Sequence, residues 1–350
     1  MFRLGKKIVF SLFGSSHGNS VGCILEGLPA GMEIDFGSVS KYMDLRRPSE
    51  GIGTGRLEPD MPEFVSGIRN GKTDGMPLMI KIANTDARGS DYSAYEFTPR
   101  PGHADLPAYV KGSDYLGGGI FSGRMTAAIV AGGSIARQFV SEHGISTASF
   151  SKSIGDVTDV EERSYEEALE SEKYVTRSCT EELDVKMRGA IEDTAGSEDS
   201  VGGVVECITV GLPVGFGGLW FEALDSELAH AVLSVPGCKG IEFGKGFGMA
   251  GMRGSESNDQ YYFDNGIKTS SNNMGGIVGG MSDGAPLVFR AVFKPTPSID
   301  RLQKTVDMRT MEEVKIRVRG RHDPCIVPRA AVAVESVTAL VIADQIARGL

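Results

Sequence analysis

Two histidines in this chain have neighbours that would leave an imidazole accessible. His17 stands in Gly14-Ser15-Ser16-His17-Gly18-Asn19, directly after an apolar run over 7–13 that reads as a short buried strand. An imidazole titrates near neutrality, so His17 is a candidate for proton transfer, with a turn or capping role as the alternative. His103 stands in Arg100-Pro101-Gly102-His103-Ala104-Asp105, a segment too rich in Pro and Gly for a helix. Restricted backbone angles predict a loop of fixed shape there, the usual platform for a functional side chain. Arg46 and Arg47 precede Pro48 and a Gly-rich loop that ends at Arg56. Such a pair either closes a helix against its dipole or clamps a polyanion through bidentate contacts. Gly117, Gly118 and Gly119 precede a Ser122-to-Thr126 lead into an Ala-rich helical run, which offers either a turn or an anion cradle of unpaired N–H groups. Neither nucleotide fingerprint, GxxxxGK[ST] or GxGxxG, is present there. Near the C-terminus Lys294-Pro295-Thr296-Pro297-Ser298 makes a rigid basic turn, and 317–324 gathers Arg319, Arg321, His322 and Asp323.

The elements that must hold these groups can be read from hydrophobic pattern. Strands are predicted over 7–13, 21–26, 65–67, 77–82, 145–154, 204–210, 238–243 and 286–293, and helices over 35–45, 126–144, 222–233 and 329–348. The charged stretches 161–172 and 181–194 read as surface helices without chemistry. His143, before Gly144, reads as a C-terminal cap, and His230 as a packed residue on the apolar side of its helix. Val21-Gly22 through Gly27-Leu28-Pro29-Ala30-Gly31 is echoed by Val201-Gly202 through Gly211-Leu212-Pro213-Val214-Gly215, each followed by a helix. This predicts an internal duplication related by a pseudo-twofold axis, with repeat units near 1–150 and 200–350 inside one domain spanning 1–350.

Composition narrows the class. The 350 residues are 41% hydrophobic, enough for substantial cores, and the net charge of −10 argues against general nucleic-acid binding. Glycine is abundant, 47 residues, but it is interspersed with apolar strands, which fits a folded chain with many tight turns. Five cysteines without paired spacing, and no signal peptide, predict reduced thiols in the cytoplasm. No apolar run is expected to reach membrane-spanning length.

The motifs GSSHG, DLRRP, RPGHAD, the GGG-to-SGR run, CKGIEFG, SNNMGGIVGGMSDG, FKPTPSI and GRHDPC stand in an order and spacing that resembles the chorismate synthase family over nearly the whole chain. The resemblance implies an α/β sandwich of antiparallel sheets and helices, assembled as a homotetramer. It also implies elimination of phosphate from 5-enolpyruvylshikimate 3-phosphate to give chorismate, with reduced FMN and no net redox change. By the same resemblance His17 protonates the departing phosphate, His103 lies near the flavin pyrimidine, and Asp323 assists removal of the C6 proton. Ser16, Arg46, Arg47 and Arg124 would bind substrate. Arg46, Ser122, Gly123, Arg124, Gly279, Lys294, Pro295, Thr296, Pro297, Ser298 and Arg321 would bind cofactor, and Arg46 matches a position for NADPH. Reductant is expected from outside, for example a separate flavin reductase, and no metal is expected.

The chain departs from the family pattern at Ser15 (usually Glu), Ile120 (usually Arg) and Met125 (usually acidic), and Ile52 stands near a position where the family often carries another Arg. Loss of phosphate from an allylic carbon calls for cations and a proton donor at the leaving group and an electron-rich partner for the developing cation, which the implied residues and a reduced flavin would supply. Two other classes compete: a flavoprotein reductase that consumes NADPH, and a phosphoanion-binding protein without turnover.

Overall fold

Residues 2–48, 51–56, 58–86, 95–318, 320 and 322–350 are described by a computed structural model. The N-terminal apolar stretches pair into an antiparallel sheet of β1 (Arg3–Leu4), β2 (Val9–Gly14), β3 (Ser20–Glu26), β4 (Pro62–Ser66) and β5 (Leu78–Ala83). Their spatial order is β1-β2-β3-β5-β4. Alternation places Val21, Cys23 and Leu25 of β3, and Leu78, Ile80 and Ile82 of β5, on one buried face, with Cys23 opposite Ile80. The second sheet contains β6 (Ser146–Ile154), β7 (Val157–Thr158), β8 (Gly203–Val210), β9 (Cys238–Phe243) and β10 (Leu287–Phe293), in the order β9-β10-β8-β6-β7.

The helices that follow these strands are α1 (Phe36–Arg46), α2 (Asp105–Lys111), α3 (Thr126–Glu142), α4 (Glu181–Gly196), α5 (Leu224–Leu233) and α6 (Val327–Arg348). The run β2-β3-α1-β4-β5-α3 has the same element order as β6-β8-α5-β9-β10-α6, and in both sheets the fourth strand of the run lies between the second and the third. The motif echo at 21–31 and 201–215 falls at matching places in these runs. The second run begins at Ser146, upstream of residue 200.

α3 packs on the first sheet, α6 on the second, and the two helices pack on each other, so a helical layer lies between the sheets. A Cβ at Gly133 would stand 2.4 Å from the Ser336 Cβ. Glycine costs about 1 kcal/mol in a helix interior, and here it permits the close approach of α3 to α6. Some polar groups in this layer find partners locally: Ser149 Oγ donates to the Ala331 carbonyl at 2.7 Å, and Arg137 pairs with Glu335.

α6 corrects the expectation about apolar length. Its 22 residues are long and apolar enough to cross a bilayer by length and composition. Most of its side chains are buried between α3 and the second sheet, and a helix enclosed on all sides is apolar all round without any membrane. His230 is exposed rather than packed, because Leu228, Ala231 and Val232 carry the buried side of α5. The charged stretch at 161–172 forms a short helix, Tyr165–Leu169, started by a Ser164–Glu167 capping box and continued by a 3₁₀ turn. His143 caps α3, with Nδ1 2.9 Å from the Phe139 carbonyl.

Candidate active site

The turn after β2 carries Ser16 and His17 and is pinned against the glycine run. The Ser16 amide donates to the Gly119 carbonyl at 3.1 Å, and Ser16 Oγ donates to the Gly117 carbonyl at 3.3 Å. Ser16 Oγ also lies 2.8 Å from His17 Nδ1. With the hydroxyl proton committed to a carbonyl, the oxygen accepts from Nδ1–H, so Nε2 is the nitrogen at which the ring gains or gives its second proton. Gly117 has φ +63°, and a Cβ there would stand 2.2 Å from His17 Cε1. Glycine is therefore required both by the backbone angle and by the imidazole stacked on it.

Behind this turn lies a buried charge cluster that hydrophobic pattern does not reveal. Asp60 bridges Arg46 and Arg124, one carboxylate oxygen to each. Arg46 also donates to Thr126 Oγ1 at 3.2 Å, and Arg124 to Asn84 Oδ1 at 2.9 Å and the Ala83 carbonyl at 3.2 Å. All three charged side chains are at most 4% exposed. Burial opposes ionisation of Asp60, but the two guanidiniums hold its carboxyl below the ordinary range. Burial likewise draws Arg46 down to about 10, against the pull of Asp60, and leaves it a cation at neutral pH. Alongside, Arg56 holds Glu58 through Nε at 2.9 Å and donates to the Ser16 carbonyl at 3.0 Å, which ties the cluster to the His17 turn.

The loop with His103 is closed by a bidentate pair: Arg100 Nε and Nη2 donate to Asp105 at 2.7 and 2.8 Å, and the Arg100 amide adds a third bond at 3.0 Å. Inside it, His103 Nδ1 lies 3.1 Å from the Pro101 carbonyl and Nε2 lies 2.7 Å from Ser298 Oγ. A carbonyl can only accept, so Nδ1 carries the proton and Nε2 accepts from the serine. Burial, reinforced by Arg100, lowers the His103 pKa to about 4, and the ring is neutral at physiological pH. Lys294 Nζ donates to the Gly102 carbonyl and joins the basic turn to the same loop.

A third contribution comes from the start of α6. Arg329 pairs with Asp323 Oδ2, while Asp323 Oδ1 is buried and without a hydrogen-bond partner among the described residues. Burial pushes the Asp323 carboxyl up; Arg329 opposes that shift.

These groups line one cavity of about 620 Å³, within the range of roughly 300–1,000 Å³ usual for small-molecule and cofactor sites. His17, His103, Arg46, Arg124, Ser122, Gly123, the 294–298 turn and Asp323 all border it; Ser16 supports His17 from behind. Segments just before α3 and α6, the closing helices of the two runs, both border it, so two helix N-termini add partial positive charge. Not every expected residue is brought here. Arg47 is exposed and pairs with Asp44, because α1 ends at Arg46 and the chain leaves the helix at Arg47 in an extended conformation. Gly279 is exposed in the hairpin after Ile277–Val278 and does not border the cavity. Arg321 and Arg319 lie outside the described residues.

Sequence reasoning missed Asp60, Glu58, Arg56, Asn84, Asp105 and Arg329. The available signals were two acids spaced by one proline just after Arg56, and an arginine and an aspartate closing RPGHAD from both ends.

The chorismate synthase family model matches residues 8–347. A chorismate synthase of Thermococcus kodakarensis is 44% identical over 349 residues, covering 98% of this chain and 97% of that one. One from Pyrococcus abyssi is 43% identical, covering 98% and 96%. A crystal structure of chorismate synthase superposes with a TM-score of 0.77 at 28% identity, covering 99% of this chain and 93% of that one. A match of this length on both sequence and fold, joined to the convergence of both histidines, two buried arginines and Asp323 on one cavity, shows that the chain belongs to the chorismate synthase family.

Proposed function

We propose that this chain is a lyase that eliminates phosphate from 5-enolpyruvylshikimate 3-phosphate to give chorismate, the last common step of aromatic amino-acid biosynthesis, with reduced FMN in the same cavity. The observation that carries this reading is the meeting of a proton donor, a cationic cluster and a carboxylate, drawn from residues 17 to 323, around one space. The residues suit the cofactor: Ile120, Phe121 and Ile326 offer apolar wall for a flat ring, and Lys294 and the buried Thr296 Oγ1, without a partner among the described residues, offer polar contacts. When bound, reduced flavin supplies electron density that stabilises the cationic charge developing on the substrate.

The chain's own groups account for the rest. Arg46 and Arg124 offset the charge of a leaving phosphate in a site where burial strengthens every Coulomb interaction. His17 Nε2 donates a proton to the phosphate, and the ring stays oriented by its Nδ1 contact with Ser16. Asp323 Oδ1 accepts the proton that leaves carbon. An anion placed against His103 Nε2 would favour protonation of that ring and oppose the burial that keeps it neutral. Ile120 replaces a family cation on the cavity wall, which shifts phosphate recognition toward the buried cluster.

An anaerobic assay with 5-enolpyruvylshikimate 3-phosphate, FMN and dithionite tests the reading. Equimolar chorismate and phosphate are expected, with no stoichiometric use of NADPH when that serves as reductant through a separate flavin reductase. NADPH oxidation that keeps pace with substrate would instead mark a reductase, and tight ligand binding without turnover a phosphoanion carrier.

Gly117→Ala probes the support of His17. It should destabilise by about 1–2 kcal/mol through its positive φ and lower kcat by about 10²-fold, the cost of moving a catalytic group on the order of 1 Å. Steady-state kinetics beside urea unfolding measure both, and an unchanged kcat would mean that the ring has room to retreat.

The reading extends to assembly and compartment. Trp220 and Phe221 are 84% and 93% exposed beside exposed Leu219, an apolar surface that supports a homotetramer. All five cysteines are buried and unpaired, which supports a reducing, cytoplasmic setting.

A further inference from the structure

We infer that Arg329 is a positioning residue for the elimination: it holds Oδ2 of Asp323 and so reserves Oδ1 as the oxygen that takes the substrate proton. The inference rests on the reading of Asp323 as proton acceptor. Arg329 Nη1 engages Oδ2, both side chains border the cavity, and Oδ1 is buried with no partner among the described residues. A buried acceptor left without a hydrogen bond is costly, and the cost is retained where a ligand is to complete the bond. Arg329 Nε is also buried without a partner among the described residues, so within that set the guanidinium meets Asp323 through Nη1. Pro328 presets the first turn of α6 and fixes where Arg329 starts.

The charged and polar groups around Asp323 come from two helices and the intervening loop. Arg329 of α6, the nearby Cys325 amide and Arg46 of α1 favour the carboxylate, against burial that favours the acid. Removing Arg329 should therefore move the titration of Asp323 to higher pH and shift the acid limb of activity with it, since the acceptor must be ionised.

The experiment compares Arg329→Gln, Arg329→Lys and Asp323→Asn in the full chain. In the ligand-free protein, NMR of ¹³C-carboxyl aspartate follows Asp323, with D323N identifying its resonance. In the FMN-loaded enzyme, kcat, KM and the isotope effect at substrate C6 are followed across pH. For R329Q a higher Asp323 pKa, a matching shift of the acid limb, about 10²-fold lower kcat and an unchanged KM are expected. R329K keeps the charge but loses the planar guanidinium that sets Nη1 on Oδ2, so its acid limb should stay while the isotope effect rises. A wild-type titration and acid limb in R329Q, a loss confined to KM, or an R329K indistinguishable from wild type overturns the inference. Full activity in D323N would instead overturn the underlying reading of Asp323.

Discussion

Replacement of His17 by alanine should slow turnover by roughly 10²- to 10⁴-fold, the usual contribution of a general acid, while FMN binding stays largely intact. The expectation follows from placement. Ser16 closes the Nδ1 side of the ring, Gly117 lies under its face, and proton exchange falls to Nε2. A leaving phosphate that departs unprotonated would have to be stabilised by the Arg46 and Arg124 cluster alone. Stopped-flow measurement of chorismate formation, with FMN affinity measured separately, checks both parts, and an unchanged rate would remove His17 from the mechanism.

Asp60→Ala should be the most damaging change to stability. It would leave Arg46 and Arg124 buried beside each other without their shared counter-ion, and breaking such a buried pair costs about 3–5 kcal/mol. Asp60→Asn keeps the shape but loses the charge and should be nearly as harmful. The pH dependence has a definite sign. The folded carboxyl titrates below its unfolded value, so its contribution is present above the unfolded pKa and is lost as pH falls through the folded one. The wild type should therefore lose this increment in acid, whereas D60A should show a flatter stability profile there. Urea denaturation across pH measures the difference; parallel profiles would mean that Asp60 does not hold the cluster.

Much of the fold was legible because strands and helices announce themselves by period. Val21, Cys23 and Leu25 alternate as a half-buried strand must, and the apolar run after Thr126 has helical composition. The repeated GLPxG turn falls at matching places in the two runs of like element order. The apolar run of α6 is longer than the sequence reading expected, and its enclosure by protein accounts for that composition. His230 misled because a helical face is about 100° wide, and one position decides whether a residue is in or out.

The residue sequence by itself determined the chemical inventory: two loop-borne histidines, arginines beside glycine turns and a C-terminal carboxylate, in an order that resembles one enzyme family. Only the tertiary structure decided which of these meet. Arg46 and Arg47 are equal as neighbours in the chain, yet one is buried on Asp60 and the other pairs with Asp44 in solvent. Pairing over 14, 64 or 101 positions, as in the ion pairs Arg46–Asp60 and Arg124–Asp60 and the Ser16–Gly117 hydrogen bond, depends on how the first sheet, α1 and the lead into α3 close on one another. Local pattern carries no trace of that closure, because hydrophobic period records which side of an element is buried and not what lies opposite it.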